Sequence, residues 1–431
     1  MKKILILHLM VINQLFAQKI TLDDAIKIGL ENRIEIKNQA LQIQLAQSEN
    51  DKIKAKWLPQ ISGSADVRWN TQLQTTVLPF SLTPGETTSK VQLGLPFNNT
   101  LGVQADQKVY DANKKIDRQI NDTQTENQKN SLEQQQINIR QAITEAYYLA
   151  VFNKERIIYA QNQLDRNKVN LETADTRLKA GTILQNEYDR FKLDVSNAQI
   201  SLQKAKQDFD LSLEALRYQM NSKSAINDLS DELADILKKA DTNYQMMFEQ
   251  RPEIRGEEIS IRINELNVQK QKVRNLPTVS AYGNYSALQL SNKLNPFASG
   301  TWFPFNYVGI RANIPIFDGK QAKLASNDFV VRQQINRNNI EKFKADFGYE
   351  AQNAMKQVEQ AKLDINETQK NVALAKQILE TDKFRYEKGV LTIADLKNSE
   401  FSLQNAENNY LSSVYNFLVA NVRYKKAIGN L

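Results

Sequence analysis

The chain has 431 residues, a formal net charge of +7, no cysteine and a single histidine, His8. The lack of cysteine excludes disulfides, thiol catalysis and thiolate metal sites. Its basic and acidic residues are interspersed, whereas a nucleic-acid-binding surface needs a clustered basic face. The sequence therefore predicts no nucleic-acid partner.

The first 17 residues have the pattern of a secretory signal peptide. Lys2 and Lys3 precede an apolar run at 4–16, which is too short to span a bilayer, and Ala17 is a plausible cleavage position. Removal of 1–17 would leave a mature chain without histidine, which excludes Ser-His-Asp catalysis. There is also no phosphate-binding loop and no dinucleotide fingerprint. We therefore expect no enzyme activity, no metal and no cofactor.

One arrangement occurs twice along the chain. Gly181 and Gly389 each interrupt a long helical pattern and are followed six residues later by a carboxylate, Glu187 or Asp395. The glycines lie 208 residues apart (389 minus 181). Each marks the predicted tip of a helical hairpin. The sequence thus predicts two structural repeats, 18–221 and 251–431, with an equatorial or linker region at 222–250.

Each repeat shows the same predicted order of elements. A helix leads to two strands, then to a very long helix that ends at the tip, and a last helix returns from it. The strands and later helices are predicted, in chain order, at 61–74, 90–110, 111–180, 183–221, 278–290, 305–317, 318–388 and 390–429. From Asp111 to Gly181 the helix would be roughly 100 Å long, at about 1.5 Å per residue.

The last helix of each repeat has a sustained heptad pattern with small residues at alternate seam positions. In the first repeat the seam includes Phe191, Ala198, Leu202 and Ala205. This pattern indicates close packing with a left-handed supercoil. Heptads alone would favour an ordinary cytosolic coiled coil.

The four predicted strands alternate between apolar and polar residues. Each has about the length and the two-residue period of a membrane barrel strand with a polar lumen. Trp69, Trp302, Phe303 and Phe305 would suit an aromatic girdle. Four strands cannot close a barrel, and open edges are not tolerated in lipid. The chain must therefore oligomerise, and three copies would supply twelve strands.

The chain resembles the outer membrane efflux protein family, the TolC-like exit ducts. The resemblance spans essentially the whole mature chain. The motifs that carry it are Pro315-Ile316-Phe317-Asp318-Gly319, Arg251-Pro252-Glu253-Ile254 and the spacing of Tyr386, Gly389 and Asp395. It implies a mainly α fold with a membrane β-barrel portion. The internally duplicated protomer would form a trimeric twelve-stranded β-barrel continuous with a long periplasmic α-helical barrel.

The same resemblance implies function, location and partners. The protein would be the outer membrane channel of a tripartite efflux or type I secretion system, extending into the periplasm. As a homotrimer in outer membrane lipid, it would work with a periplasmic adaptor (membrane fusion) protein and an inner membrane transporter. A wide duct does not choose its cargo, so drugs, metal ions, peptides and proteins all remain open.

The resemblance also implies a gate at the hairpin tips. Asp395 occupies the family's first gate carboxylate position, but Asn398 stands where some members have a second one. Leu391 stands where the family has a basic gate residue. Glu187, the equivalent of Asp395 in the first repeat, is the candidate substitute for the missing carboxylate. Like charges gathered there would repel one another and bias the tip toward opening. The alternative is that these acids are ordinary solvated turn residues.

The residues around the tips are candidates for docking the adaptor, again by resemblance to the family. They are Gly181, Gly389, Lys179, Thr182, Lys388, Val390 and Leu391. Asp382 and Tyr386 lie on the helix seam and are candidate inter-helix contacts. Two other functions remain open: a pore-less periplasmic coiled-coil protein, and a hydrolase, for which no acid/base pair is placed by a motif.

Overall fold

The computed structural model describes residues 18–80, 87–240, 247–295, 297 and 302–431. The predicted signal segment and part of the 222–250 region lie outside these residues. The described elements are β1 (Gln18–Ile20), α1 (Leu22–Asn32), α2 (Ile34–Ala55), β2 (Gln60–Trp69), β3 (Thr75–Leu78), β4 (Ser89–Gln92), β5 (Phe97–Tyr110), α3 (Asn113–Lys179), α4 (Gln185–Met220), β6 (Ile226–Leu229), α5 (Leu233–Lys239), a 3-10 helix (Phe248–Gln250), α6 (Pro252–Lys272), β7 (Thr278–Ser291), β8 (Trp302–Asn313), α7 (Gln321–Glu387) and α8 (Ile393–Ala427).

The chain divides into two compact units, and each combines segments of both predicted repeats. The first unit comprises the described residues of Met1–Gln42, Gln128–Glu258 and Asn338–Leu431. The second comprises Ile43–Asn127 and Ile259–Arg337. In the part of the chain that the structure describes, no helix is both long enough and apolar enough to cross a membrane.

The second unit contains a four-stranded antiparallel sheet in the order β2-β5-β7-β8. Strands β2 and β8 each have one neighbour, so the sheet has two open edges. Its register is continuous from β5 to β8 apart from one irregularity near Lys108. A separate two-stranded hairpin, β3–β4, lies in sequence between β2 and β5.

The two faces of this sheet differ in charge. Directly paired residues share a face, and side chains alternate along each strand. By this register all five charged side chains of the four strands lie on one face, here called the charged face: Asp66, Arg68, Asp106, Lys108 and Arg311. The other face, here called the apolar face, has none.

The apolar face exposes large side chains. Ile61 is 72% exposed, Val308 90% and Ile310 77%. Trp69 and Trp302 also lie on this face, but Phe303 and Phe305 lie on the charged face. The expectation that all four aromatic residues form one girdle is therefore wrong for Phe303 and Phe305. The reason is that Trp302 and Phe303 are adjacent and must point to opposite faces.

Three of the four predicted strands differ from the structure by more than one residue. The predicted strand 61–74 ends at Trp69, and the predicted strand 90–110 is divided into β4 and β5. The break contains Gly94, whose φ of +100° suits a turn, and Pro96, which has no N–H to donate. The predicted strand 305–317 ends at Asn313, two residues before Pro315, for the same lack of a donor.

Aspartates precede both long helices. Asp111 accepts a hydrogen bond from the backbone N of Asn113 at 2.9 Å, and Asp318 accepts one from the backbone N of Ala322 at 2.8 Å. Each satisfies a donor that a helix start leaves without an intrahelical partner. The helices α3 and α7 each have 67 residues and start two or three residues after the predicted positions.

The first unit has its main core where α3, α4, α7 and α8 meet α1, β1 and β6. Outside this main core, the seam positions Phe191, Ala198, Leu202 and Ala205 of α4 are all buried. β1 pairs with β6 in parallel. The buried Tyr147 hydroxyl donates to Asp231 at 2.7 Å, and its oxygen is 3.0 Å from the carbonyl of Ile20. The 222–250 region is thus attached to α3 and to the first strand.

Candidate functional site

Both hairpin tips end their long helix in the same way. Gly181 and Gly389 have φ of +72° and +73°, the left-handed conformation that glycine adopts readily. The N–H of Gly389 donates to Tyr386 and the N–H of Val390 donates to Arg385, at 3.0 and 2.9 Å. The first tip repeats these two bonds with the N–H groups of residues 181 and 182. This is the Schellman motif, which satisfies carbonyls at the helix end.

The candidate gate carboxylates lie one turn into the returning helices. Thr392 accepts from the backbone N of Asp395 at 3.2 Å and donates its hydroxyl to the Asp395 carboxylate at 2.7 Å. Glu187 accepts from the backbone N of Leu184 at 3.4 Å. Both acids therefore also cap their helices, and negative charge is favourable at a helix N-terminus.

The remaining tip candidates differ in exposure. Asp395 and Asn398 are exposed, and Glu187 is half-buried. Leu391 is half-buried and packs against the tip core, whereas the other six candidates for adaptor docking are exposed. Among these, Lys179 forms an ion pair with Asp175 at 2.6 Å, and that hydrogen bond raises the pKa of the lysine.

A small apolar core holds the two hairpins together near their tips. It is formed by Ala174, Ile183, Phe191, Leu379, Tyr386, Ile393, Leu396 and Leu403. The rings of Phe191 and Tyr386 lie 6.2 Å apart, so an aromatic contact joins α4 to α7. The burial of apolar surface is the dominant favourable contribution to the free energy of folding, so this core stabilises the tips.

The two seam candidates have different surroundings. Asp382 accepts a hydrogen bond from the hydroxyl of Ser399 on α8. Arg177 lies 4.7 Å from the centre of the Tyr386 ring and donates to the Tyr386 carbonyl at 3.4 Å. The Tyr386 hydroxyl is buried and has no hydrogen-bond partner among the described residues. Burial raises the pKa of this phenol.

Several polar links between the repeats could not be read from the sequence. Lys397 on α8 pairs with Asp194 on α4 at 2.8 Å and lies 4.5 Å from the Phe191 ring centre. Arg166 donates to Glu407 at 3.4 Å. The partners lie about 200 residues or more apart in sequence, and no motif pairs them. Together with the tip core, these links fix one hairpin to the other within the protomer.

Within the described ranges, no three or more His, Asp or Glu side chains are grouped so as to hold a metal ion. What the tips offer is a turn, an exposed carboxylate and a polar contact network. That chemistry suits electrostatic selection and contact with another protein.

Comparisons with known proteins identify the family of the chain. The family model described as outer membrane efflux protein matches the chain twice, at residues 25–222 and 243–430. Among curated protein sequences, none matches the chain.

Solved structures share the fold at low sequence identity. A crystal structure of CusC, described in connection with folding and transmembrane channel formation, has a TM-score of 0.74 and 16% identity, covering 94% of this chain and 91% of that one. The CmeC outer membrane channel of Campylobacter jejuni gives 0.66 and 17%, covering 95% and 85%. The open MtrE outer membrane channel of Neisseria gonorrhoeae gives 0.67 and 18%, covering 95% and 88%. The chain therefore belongs to the outer membrane efflux protein family, and it is an outer membrane efflux channel rather than an enzyme.

Proposed function

We propose that the protein is one protomer of a homotrimeric duct that carries cargo across the periplasm and the outer membrane. Three four-stranded sheets would form a twelve-stranded barrel with the charged face inside, and the helices would form the periplasmic part. An inner membrane transporter and a periplasmic adaptor protein would deliver the cargo. The duct itself would be passive.

The observation that carries this proposal is the four-stranded sheet with two open edges and one uncharged, exposed face. Unpaired backbone groups at an edge cost several kcal/mol each in hydrocarbon, so a sheet in lipid must close on itself. Four strands are too few to close, whereas twelve leave a lumen. The absence of charge on the apolar face fits contact with lipid.

The exposed apolar side chains of the helices also support assembly. Helix α2 has no buried residue in the protomer. Its apolar side chains are therefore partly or largely exposed, among them Leu41 (54%) and Leu45 (61%). On α7, Val330 and Val331 are 50% and 59% exposed. Such a distribution is typical of surfaces that a partner subunit covers.

The tips would form the periplasmic entrance and its gate. In a trimer, three Asp395 and three Glu187 would line the narrowest part and favour cations, while Asn398 would add no charge. The exposed residues at the two turns, Lys179, Thr182, Lys388 and Val390 among them, would contact the adaptor. Support comes from their exposure and from the equal geometry of the two turns.

Cell fractionation tests the duct against the pore-less coiled coil. We expect the expressed protein in the outer membrane fraction, migrating on gels as a trimer that dissociates only after heating. The purified trimer should form conducting channels in planar lipid bilayers. A soluble periplasmic monomer would instead support the coiled-coil protein and contradict the duct.

A further inference from the structure

The charged face of the sheet is not uniform. In its β2–β5 half, the side chains on this face carry hydroxyl, amide or charged groups, and none from Gln60 to Lys108 on this face is aromatic. The residues concerned are Ser62, Ser64, Asp66, Arg68, Asn98, Thr100, Gln104, Asp106 and Lys108. Its β7–β8 half carries most of the large apolar and aromatic side chains: Tyr282, Leu288, Leu290, Phe303, Phe305 and Tyr307. A lumen wall in water is expected to be polar, so the second half requires an explanation.

These aromatic side chains are not hidden in the protomer. Phe303 is 58% exposed, Phe305 42% and Tyr307 49%. They alternate along one strand, and residues two apart on a strand lie about 7 Å from each other. The three rings therefore form a row along β8 on the charged face.

The row leads to the only charged side chain of the β7–β8 half, Arg311. Arg311 forms no ion pair with a carboxylate of the described residues. Arg68 on β2, in contrast, pairs with Asp66 at 3.6 Å. Lys108 is also paired, with Asp111 at 3.4 Å. The remaining carboxylate of this face, Asp106, lies on β5 and accepts a hydrogen bond from Gln104 at 2.6 Å.

Aromatic packing holds Arg311 in place. Its guanidinium lies 4.6 Å from the centre of the Tyr282 ring, and the Tyr307 ring meets Tyr282 edge-on at 6.0 Å. Gly309 makes room for Tyr282, because a Cβ there would lie 2.7 Å from the tyrosine ring. A guanidinium over an aromatic face keeps its N–H donors available for an anion.

We propose that the row Phe303–Phe305–Tyr307 together with Arg311 is a contact track for amphipathic organic anions, which have an aromatic or apolar body and one carboxylate or sulfonate. The apolar body would lie on the rings and the anionic group on Arg311. The track rests on the proposed function, since it needs a closed barrel with the charged face inside. It adds a preferred class of cargo in the barrel to the cation preference proposed for the hairpin tips.

Single-channel recording on the purified trimer tests the track, with 2-naphthalenesulfonate as the probe and a naphthyl trimethylammonium as the oppositely charged comparison. We expect the sulfonate to block the wild-type channel, and we expect any block by the ammonium, which the tip carboxylates would favour, to be unaffected by changes at Arg311. Arg311→Gln should shorten the sulfonate blocks about tenfold, as expected for loss of a charge-assisted contact. Arg311→Lys should retain most of the block.

Two further variants separate the track from a general charge effect. Arg68→Gln removes an arginine from the same face but one already paired with Asp66, so the sulfonate blocks should keep their length. Phe305→Ser should shorten blocks by naphthalenesulfonate but leave methanesulfonate unaffected. Equal effects of Arg68→Gln and Arg311→Gln, or no effect of Arg311→Gln, would overturn the track. A wild-type protein that forms no channel would instead contradict the proposed function.

Discussion

At the scale of single residues, Asp395 has two separable properties. Its carboxylate accepts from the Thr392 hydroxyl at the start of α8, and it also places a negative charge at an exposed tip. The same arrangement occurs at the start of α1, where Thr21 and Asp24 make the same two hydrogen bonds at 2.7 and 3.2 Å. The Thr21–Asp24 cap lies far from the tips in sequence. A Thr–Asp cap is therefore not by itself evidence for a gate.

The duplicated cap gives a matched test of the gate. Asp395→Asn keeps a hydrogen-bonding side chain at the cap but removes the charge, so we expect weaker cation preference in reversal-potential measurements under a salt gradient. Asp24→Asn makes the same chemical change at α1 and should leave the selectivity unchanged. If both variants behave like wild type, Asp395 is only a cap.

Tyr386 and Tyr147 form a second matched pair of residues. The Tyr386 hydroxyl is buried without a described partner, and such a group costs about 1–3 kcal/mol. We therefore expect Tyr386→Phe to leave the thermal midpoint of the purified trimer unchanged or to raise it. Tyr147→Phe breaks the bond to Asp231 and should lower it. A lower midpoint for Tyr386→Phe would show that a second copy supplies a partner for the hydroxyl.

At the scale of elements, the tip turns need glycine for its backbone conformation and not because a larger side chain would lack room. A Cβ added to Gly389 would meet nothing within 4 Å, yet its φ of +73° disfavours any other residue. Gly348, inside α7, has equally open surroundings but no positive φ. The two positions therefore separate conformational strain from steric fit.

Alanine substitutions at these glycines should have opposite effects. Gly389→Ala should destabilise the protein by about 1–2 kcal/mol because it forces alanine into the left-handed region. Gly348→Ala should stabilise it by about 0.5–1 kcal/mol because alanine loses less conformational entropy in a helix. Thermal unfolding of the two variants beside wild type measures both effects. Two shifts in the same direction would contradict this account of the turn.

The sequence predicts the fold well where a residue type favours one kind of local structure, such as glycine at a turn or aspartate at a helix start. Gly181 and Gly389 located both tips, and Asp111 and Asp318 located the starts of the long helices to within a few residues. It was less informative where several segments compete. The residues at 90–110 alternate across the break and so hide the β3–β4 hairpin. No spacing rule connects Lys397 with Asp194, because the two residues lie in distant segments.

At the scale of the whole molecule, the sheet determines what the chain needs from other copies. The strands β2 and β8 leave backbone groups unpaired along both edges, and the chain contains no further strand of the four-stranded sheet among its described residues. In the proposed trimer, β8 of one copy would pair with β2 of the next. Assembly would then complete each protomer's hydrogen bonding, so a folded but unassembled protomer should not persist in lipid.

The nearly equal lengths of corresponding helices have an evolutionary consequence. Helices α3 and α7 both have 67 residues, α4 and α8 have 36 and 35, and α2 and α6 have 22 and 21. A heptad seam keeps its phase when residues are added or removed in sevens, whereas insertions of three or four residues locally change the supercoil. We therefore expect a longer or shorter version of this protein to carry matched changes in both halves of its gene.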